Sequence, residues 1–80
     1  AKLLYDDNIL EKIVKSTNIN EDDLIIEIGP GSGNLTKKLQ TFNAQIIAFE
    51  IDETLSKQLD QIKNGKTKIT FKDFLEVDLN

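Results

Sequence analysis

The chain predicts an α/β domain built on a parallel sheet, and three observations lead there. Apolar runs at Leu24 to Ile28, Gln45 to Glu50 and Thr67 to Lys72 read as strands, and the segments between them carry apolar residues at helical spacing. The first two runs lack polar alternation, as in strands covered on both faces. The connections are short, so the alternation of strand and helix implies right-handed crossovers and three parallel strands in the order 3-2-1, with helices on both faces.

Taken in order, Ala1 to Tyr5 are mixed in character. Asp6, Asp7 and Asn8 then offer helix caps ahead of Ile9, Leu10, Ile13 and Val14, which fall on one helical face. Acids gather at the start of this amphipathic helix and Lys12 and Lys15 come later, as the helix dipole favours, before Ser16-Thr17-Asn18 ends it. A polar turn, Asn20 to Asp23, leads into the first strand. Beyond the glycine-rich stretch that follows, Leu35, Leu39 and Phe42 recur at helical spacing with Lys37 and Lys38 opposite, a helix that packs back on the sheet. Asp52 to Lys63 sets Leu55, Leu59 and Ile62 on one face of another helix, and Asn64-Gly65 supplies its stop. Thr67 to Lys72 alternates lysine or threonine with Ile69 and Phe71, a strand with one wetter face, and Asp73 closes it.

Composition narrows the functions. With 80 residues there is one small domain at most, and 39% apolar with 30% charged residues is an ordinary globular balance that argues against disorder. The net charge is -4, arginine is absent, and ten lysines are scattered, so these residues alone make a poor nucleic-acid surface. Without cysteine or histidine there is no disulfide, thiolate or imidazole chemistry and no usual zinc set, and no metal is expected. The longest apolar runs fall far short of the roughly 20 residues that cross a bilayer, so no membrane partner is expected.

The chain is organised around Gly29-Pro30-Gly31-Ser32-Gly33, directly after the first strand. One glycine suffices for a turn; three at alternate positions suggest a ligand lying against the main chain near the first N–H groups of a helix. A dinucleotide fingerprint would place its third glycine where Asn34 stands and would leave the pyrophosphate a neutral or basic pocket. Here Glu27, Glu50, Asp52 and Asp73 gather near the strand ends. Carboxylates repel a pyrophosphate but suit a ligand with hydroxyls, amines and a positive centre. S-adenosylmethionine carries ribose hydroxyls, an adenine amine, an ammonium and a sulfonium, and this chemistry favours it over NAD or ATP.

Glu27-Ile28-Gly29-Pro30-Gly31-Ser32-Gly33-Asn34-Leu35-Thr36, then Phe49-Glu50-Ile51-Asp52, then Lys72-Asp73-Phe74-Leu75, resemble the amino-terminal part of the ribosomal RNA adenine dimethyltransferases. The resemblance covers nearly the whole chain and implies a partial Rossmann-like class I methyltransferase fold. It also implies S-adenosylmethionine as cofactor, and dimethylation of the exocyclic amine of adenines in small-subunit rRNA as the parent activity, in the cytoplasm, with an organelle or the nucleolus left open. Carried over by position, Gly29 meets the methionine part, Glu50 holds the ribose hydroxyls, and Asp73 faces the adenine amine. Leu4, Glu27, Gly31, Ile51 and Phe74 complete the implied cofactor set. Other readings stay open: Glu27 steadying the glycine loop, Asp52 and Glu50 as helix caps, Asp73 as a turn residue. If hydroxyl acceptance outweighs charge at Glu50, glutamine there should be milder than alanine.

Two departures bear on function. Family members usually open with Gln-Asn-Phe-Leu, and here the matching stretch is Ala1-Lys2-Leu3-Leu4, in which Leu4 fits and Lys2 does not. The family's acceptor motif, an Asn-Leu-Pro-Tyr type segment that stacks on the flipped adenine, is not in these residues: the one proline is Pro30 and the one tyrosine Tyr5. Residues 1–80 are therefore expected to form the cofactor-binding part of a longer methyltransferase domain and to include no catalytic residue. In such a protein, rRNA is held by parts outside these residues. The alternatives are a non-catalytic methyltransferase-like binding module and a class I methyltransferase with another substrate. Finally, the order 3-2-1 leaves Leu24 to Ile28 at the sheet edge with unpaired N–H and C=O groups, an invitation to edge-strand self-association.

Overall fold

The computed structural model of the chain describes residues 2–5 and 19–77. Its frame is a four-stranded parallel sheet in which β1 (Lys2–Tyr5), β2 (Leu24–Ile28), β3 (Gln45–Phe49) and β4 (Thr67–Thr70) lie side by side in sequence order. The three strands read from the sequence run as expected, β4 beside β3 beside β2, with Ile25 level with Ile46 and Ile46 level with Thr67.

The expected edge is not there. Lys2–Tyr5 pairs in parallel with the outer side of β2, Leu3 level with Ile26 and Leu4 level with Glu27, so Leu24 to Ile28 is a central strand. This agrees with its sequence, apolar at every position but Glu27, and removes the structural ground for self-association through that strand. Four residues without clear alternation carry no period to recognise, and only pairing with a distant partner makes them a strand. The helix expected around Ile9, Leu10, Ile13 and Val14 lies outside the described residues.

Helix α1 (Asn34–Gln40) follows β2 through residues 29–33, and Leu35 and Leu39 drive into the sheet. With Ile19, Ile25, Ala44 and Ile46 they form the core, and Phe42 packs on its margin. Leu39 is wholly buried, a contribution of about 1.5–3 kcal/mol for a side chain of this size. Lys37 and Lys38 lie near the carboxyl end, where the dipole favours cations. The helix closes without glycine: the Thr41 hydroxyl donates to the Lys38 carbonyl at 2.7 Å, and Asn43 takes the left-handed conformation at φ 58° that asparagine tolerates.

The next helical segment is shorter than its periodicity suggests. A 3-10 turn, Glu53–Leu55, runs into α2 (Ser56–Asp60), and residues 61–62 are already a turn. Gln40 explains part of this, since its Nε2 donates to the Ile62 carbonyl at 2.6 Å and to Thr67 Oγ1 at 3.1 Å, fixing the chain as it leaves α2. The side chain of Asn64 then accepts the Lys66 N–H at 2.9 Å and turns the chain into β4, which ends at Thr70 rather than Lys72. Leu59 of α2 is wholly buried beside the glycine loop. Both described helices thus lie together on the face of the sheet that carries Ile25, Ile46 and Thr67.

Candidate functional site

At the carboxyl ends of β2, β3 and β4 lies a cavity of about 410 Å³ bordered by Ile28, Gly29, Phe49, Ile51, Asp73, Phe74 and Leu75. Its walls follow from the topology. Parallel strands all end on one side, so the residue after each strand joins a common rim. The Phe49 and Phe74 rings lie 5.4 Å apart and are tilted by 60°, which makes a firm aromatic wall. Ile51 and Leu75 stand at the mouth with 72% and 89% of their surface in water, unusually exposed for large apolar side chains. Asp73 is the one charged group among the bordering residues described, and its Oδ1 accepts the Leu75 N–H at 2.9 Å in a 3-10 turn at Phe74–Glu76.

The glycine loop runs along one side of the cavity. The Gly29 N–H donates to the Phe49 carbonyl at 2.8 Å and prolongs the β2–β3 ladder by one step. Gly29 has φ 70°, and a Cβ built on it meets no atom within 4 Å, so the main chain here is open to the space beside it. Gly33 needs glycine for the opposite reason. At φ 86°, its Cβ would collide with the Ile62 side chain and lie 3.4 Å from Leu59. Within the loop the Gly33 N–H donates to the Pro30 carbonyl at 2.8 Å.

Two carboxylates brace this segment, Glu50 at the loop itself and Glu27 at the strand before it. Glu50, only 6% exposed, accepts the Gly31 N–H on Oε1 at 2.9 Å and the Asp52 N–H on Oε2 at 3.0 Å. It therefore ties the loop after β2 to the loop after β3. Glu27 is wholly buried within β2, and its Oε1 accepts the Thr36 hydroxyl at 2.6 Å. Neither glutamate borders the cavity, nor does Gly31. Of the residues singled out from sequence, the cavity thus brings together Gly29, Ile51, Asp73 and Phe74, with Gly31 and Glu50 immediately behind. Glu27 sits deeper, and Leu4 stands level with it in β1.

Asp52 is an exposed cap, accepting the Thr54 N–H at 3.0 Å and the Thr54 hydroxyl at 2.5 Å. The Thr54 hydroxyl, then its N–H, hold the Asp52 carboxyl below the ordinary aspartate value of 3.8. The sequence reading quoted Thr36, Ile28, Phe49 and Leu75 within its motifs but gave none of them a place in the site. A signal existed for Thr36, a polar residue beside Leu35 in the apolar stripe of a helix; for Phe49 it was only its place at the end of a buried run. Among the described residues there is no cluster of acids that could hold a metal ion, and no helix long and apolar enough to cross a membrane.

An apolar slot of this size, with an open glycine main chain on one side and a single carboxylate on its rim, accommodates a flat heteroaromatic ring bearing an amine. Among the described residues that border it, none is basic, so none neutralises a pyrophosphate. On a parallel sheet with the slot beyond the carboxyl strand ends, this is a Rossmann-like domain of the kind that binds adenosine-containing cofactors. More particularly, the chain belongs to the ribosomal RNA adenine dimethylase family, whose model matches residues 1–80. It is similar to ribosomal RNA small subunit methyltransferase A of Halothermothrix orenii, 42% identical over 77 residues that cover 94% of this chain and 26% of that protein. The protein of the same name from Mycoplasmopsis synoviae is 45% identical over 78 residues, covering 96% of this chain and 30% of its own length. A probable ribosomal RNA small subunit methyltransferase A of Methanopyrus kandleri is 44% identical over 80 residues, covering 95% and 28%. The chain thus spans less than a third of the length of these relatives, and the family is the one its motifs resemble.

Proposed function

We propose that this chain is the S-adenosylmethionine-binding part of an enzyme that dimethylates the exocyclic amine of adenines in small-subunit rRNA in the cytoplasm. The observation that carries the reading is the slot beyond the carboxyl strand ends, with Gly29 open on one side, Phe74 and Ile51 as apolar walls, and Asp73 on the rim. Asp73 accepts the adenine amine, Ile51 and Phe74 hold the ring faces, and the Gly29 main chain passes the methionine part. Glu50 keeps the two loops in register through its backbone bonds, and the remaining lone pairs of its oxygens accept ribose hydroxyls. Gly31 holds Glu50 in place, Glu27 holds the frame of the loop from below, and Leu4 takes part from β1. Bound S-adenosylmethionine supplies a methyl group on a positively charged sulfur. The residues described here bind and orient; the groups that receive the target adenine and the rRNA belong to other parts of the protein.

Calorimetric titration of the native-length protein with S-adenosylmethionine and S-adenosylhomocysteine tests the cofactor. Mass spectrometry of immature small subunits after incubation tests the product, dimethyladenosine in the rRNA. A folded protein that binds neither cofactor form would overturn the reading of the site. Binding without dimethyladenosine would return the chain to the class of methyltransferase-like binding modules.

A further inference from the structure

We propose that Thr36 is a positioning residue for the cofactor loop and that it acts through Glu27. This rests on the reading of the site given above. Thr36 and Glu27 are both wholly buried, and the Thr36 hydroxyl donates to Glu27 Oε1 at 2.6 Å, a short hydrogen bond. Glu27 stands two residues before Gly29, and Thr36 stands three after Gly33, so the bond closes the base of the glycine loop across its five residues. A helical threonine ordinarily turns its hydroxyl back onto the carbonyl of the preceding turn. Here it reaches instead to the neighbouring strand, and a buried carboxylate accepts it.

The chemistry favours a functional purpose over packing. Valine would fill the same volume in this apolar stripe, and an apolar residue at position 27 would spare the cost of burying a carboxylate, so stability alone does not call for this pair. What the pair supplies is a fixed distance between the end of β2 and the first turn of α1. The loop is held a second time at Gly31 by Glu50. With base and crest both fixed, the Gly29 main chain keeps one position beside the cavity before any ligand arrives, and binding costs less ordering.

The test compares Thr36→Val, which keeps the shape and removes the donor, with Thr36→Ser, which keeps the donor. The native-length protein is used, with S-adenosylhomocysteine as probe. Thr36→Val is expected to speed amide exchange at Gly31 and Gly33 in the ligand-free protein and to raise the dissociation constant about tenfold, as losing one buried hydrogen bond predicts. Thr36→Ser should stay near wild type in both. A Val variant with a lower melting temperature but wild-type loop exchange and affinity would reduce Thr36 to a packing residue and overturn the proposal. A measurement on the wild type stands beside the variants in case Thr36→Val does not fold: the Thr36 hydroxyl proton should exchange slowly and its resonance shift on ligand binding, and an unshifted resonance is an overturning result. If the wild type binds no S-adenosylhomocysteine, the reading of the site fails, while loop exchange in the ligand-free variants still decides whether Thr36 sets the loop.

Discussion

Replacing Glu50 by glutamine exchanges one carboxylate oxygen for an amide nitrogen at a position where both oxygens accept backbone N–H groups. From sequence alone this looks like the mild substitution, because glutamine still accepts a hydroxyl. In the fold the same oxygens also hold two backbone N–H groups, so the substitution costs stability as well. Whichever way the new side chain turns, one of the Gly31 and Asp52 N–H groups faces a donor, and the other keeps only a neutral acceptor. A bond to a charged group contributes about 1.5–3 kcal/mol and a neutral one about 0.5–1.5 kcal/mol. Water reaches the exposed Asp52 and recovers part of the difference, so the net loss is about 1.5–3 kcal/mol, and Glu50→Ala, which removes both acceptors, loses at least as much. Urea denaturation and S-adenosylhomocysteine titration of wild type, Glu50→Gln and Glu50→Ala measure it. A glutamine variant with wild-type midpoint and affinity would refute the argument that the carboxylate clasps the two loops.

Three further outcomes are expected. Gly33→Ala should lower stability by about 1–3 kcal/mol in urea denaturation, because alanine at φ 86° is strained and its Cβ strikes Ile62; an unchanged midpoint would mean that α2 gives way freely. Asp73→Asn should leave stability unchanged, since the asparagine oxygen can still accept the Leu75 N–H, yet it then turns an –NH2 toward the ring amine. S-adenosylhomocysteine binding should weaken about tenfold and S-inosylhomocysteine binding improve; equal effects on both ligands would leave Asp73 as a turn residue only. Carbon-detected NMR titration should place the Asp52 midpoint below 3.8, with Thr54→Val moving it back up. Because the folded-state value is the depressed one, whatever this cap adds to stability is present above pH 3.8 and is lost as pH falls through the folded midpoint.

Much of the fold could be read because its signals are local. Leu24 to Ile28 and Gln45 to Phe49 announce buried strands by composition, Leu35 and Leu39 announce one helix face by spacing, and the glycines announce a tight loop with positive φ between strand and helix. The acids that follow β3 and β4 were placed by counting along the same segments, which is why Asp73 emerges at the rim and Glu50 directly behind it. Thr36 was passed over because a single polar residue in an apolar stripe has no period of its own. The length of α2 was overestimated because periodicity continues through Ile62, whereas the hydrogen bonds that stop the helix come partly from Gln40, more than twenty positions away.

The amino-acid sequence by itself determined the strand and helix alternation, the glycine loop after the first long strand and the acidic character of the strand ends, since each depends on residues within a few positions of one another. Tertiary structure alone decided that Lys2–Tyr5 closes the edge of β2, that Glu27 is buried against Thr36, and that both oxygens of Glu50 are already engaged by backbone. Each of these joins separate elements or loops across a turn of the chain. A strand edge, a buried carboxylate and a backbone N–H can each be satisfied by several partners of equal chemistry, and only the packed sheet selects which one comes within reach.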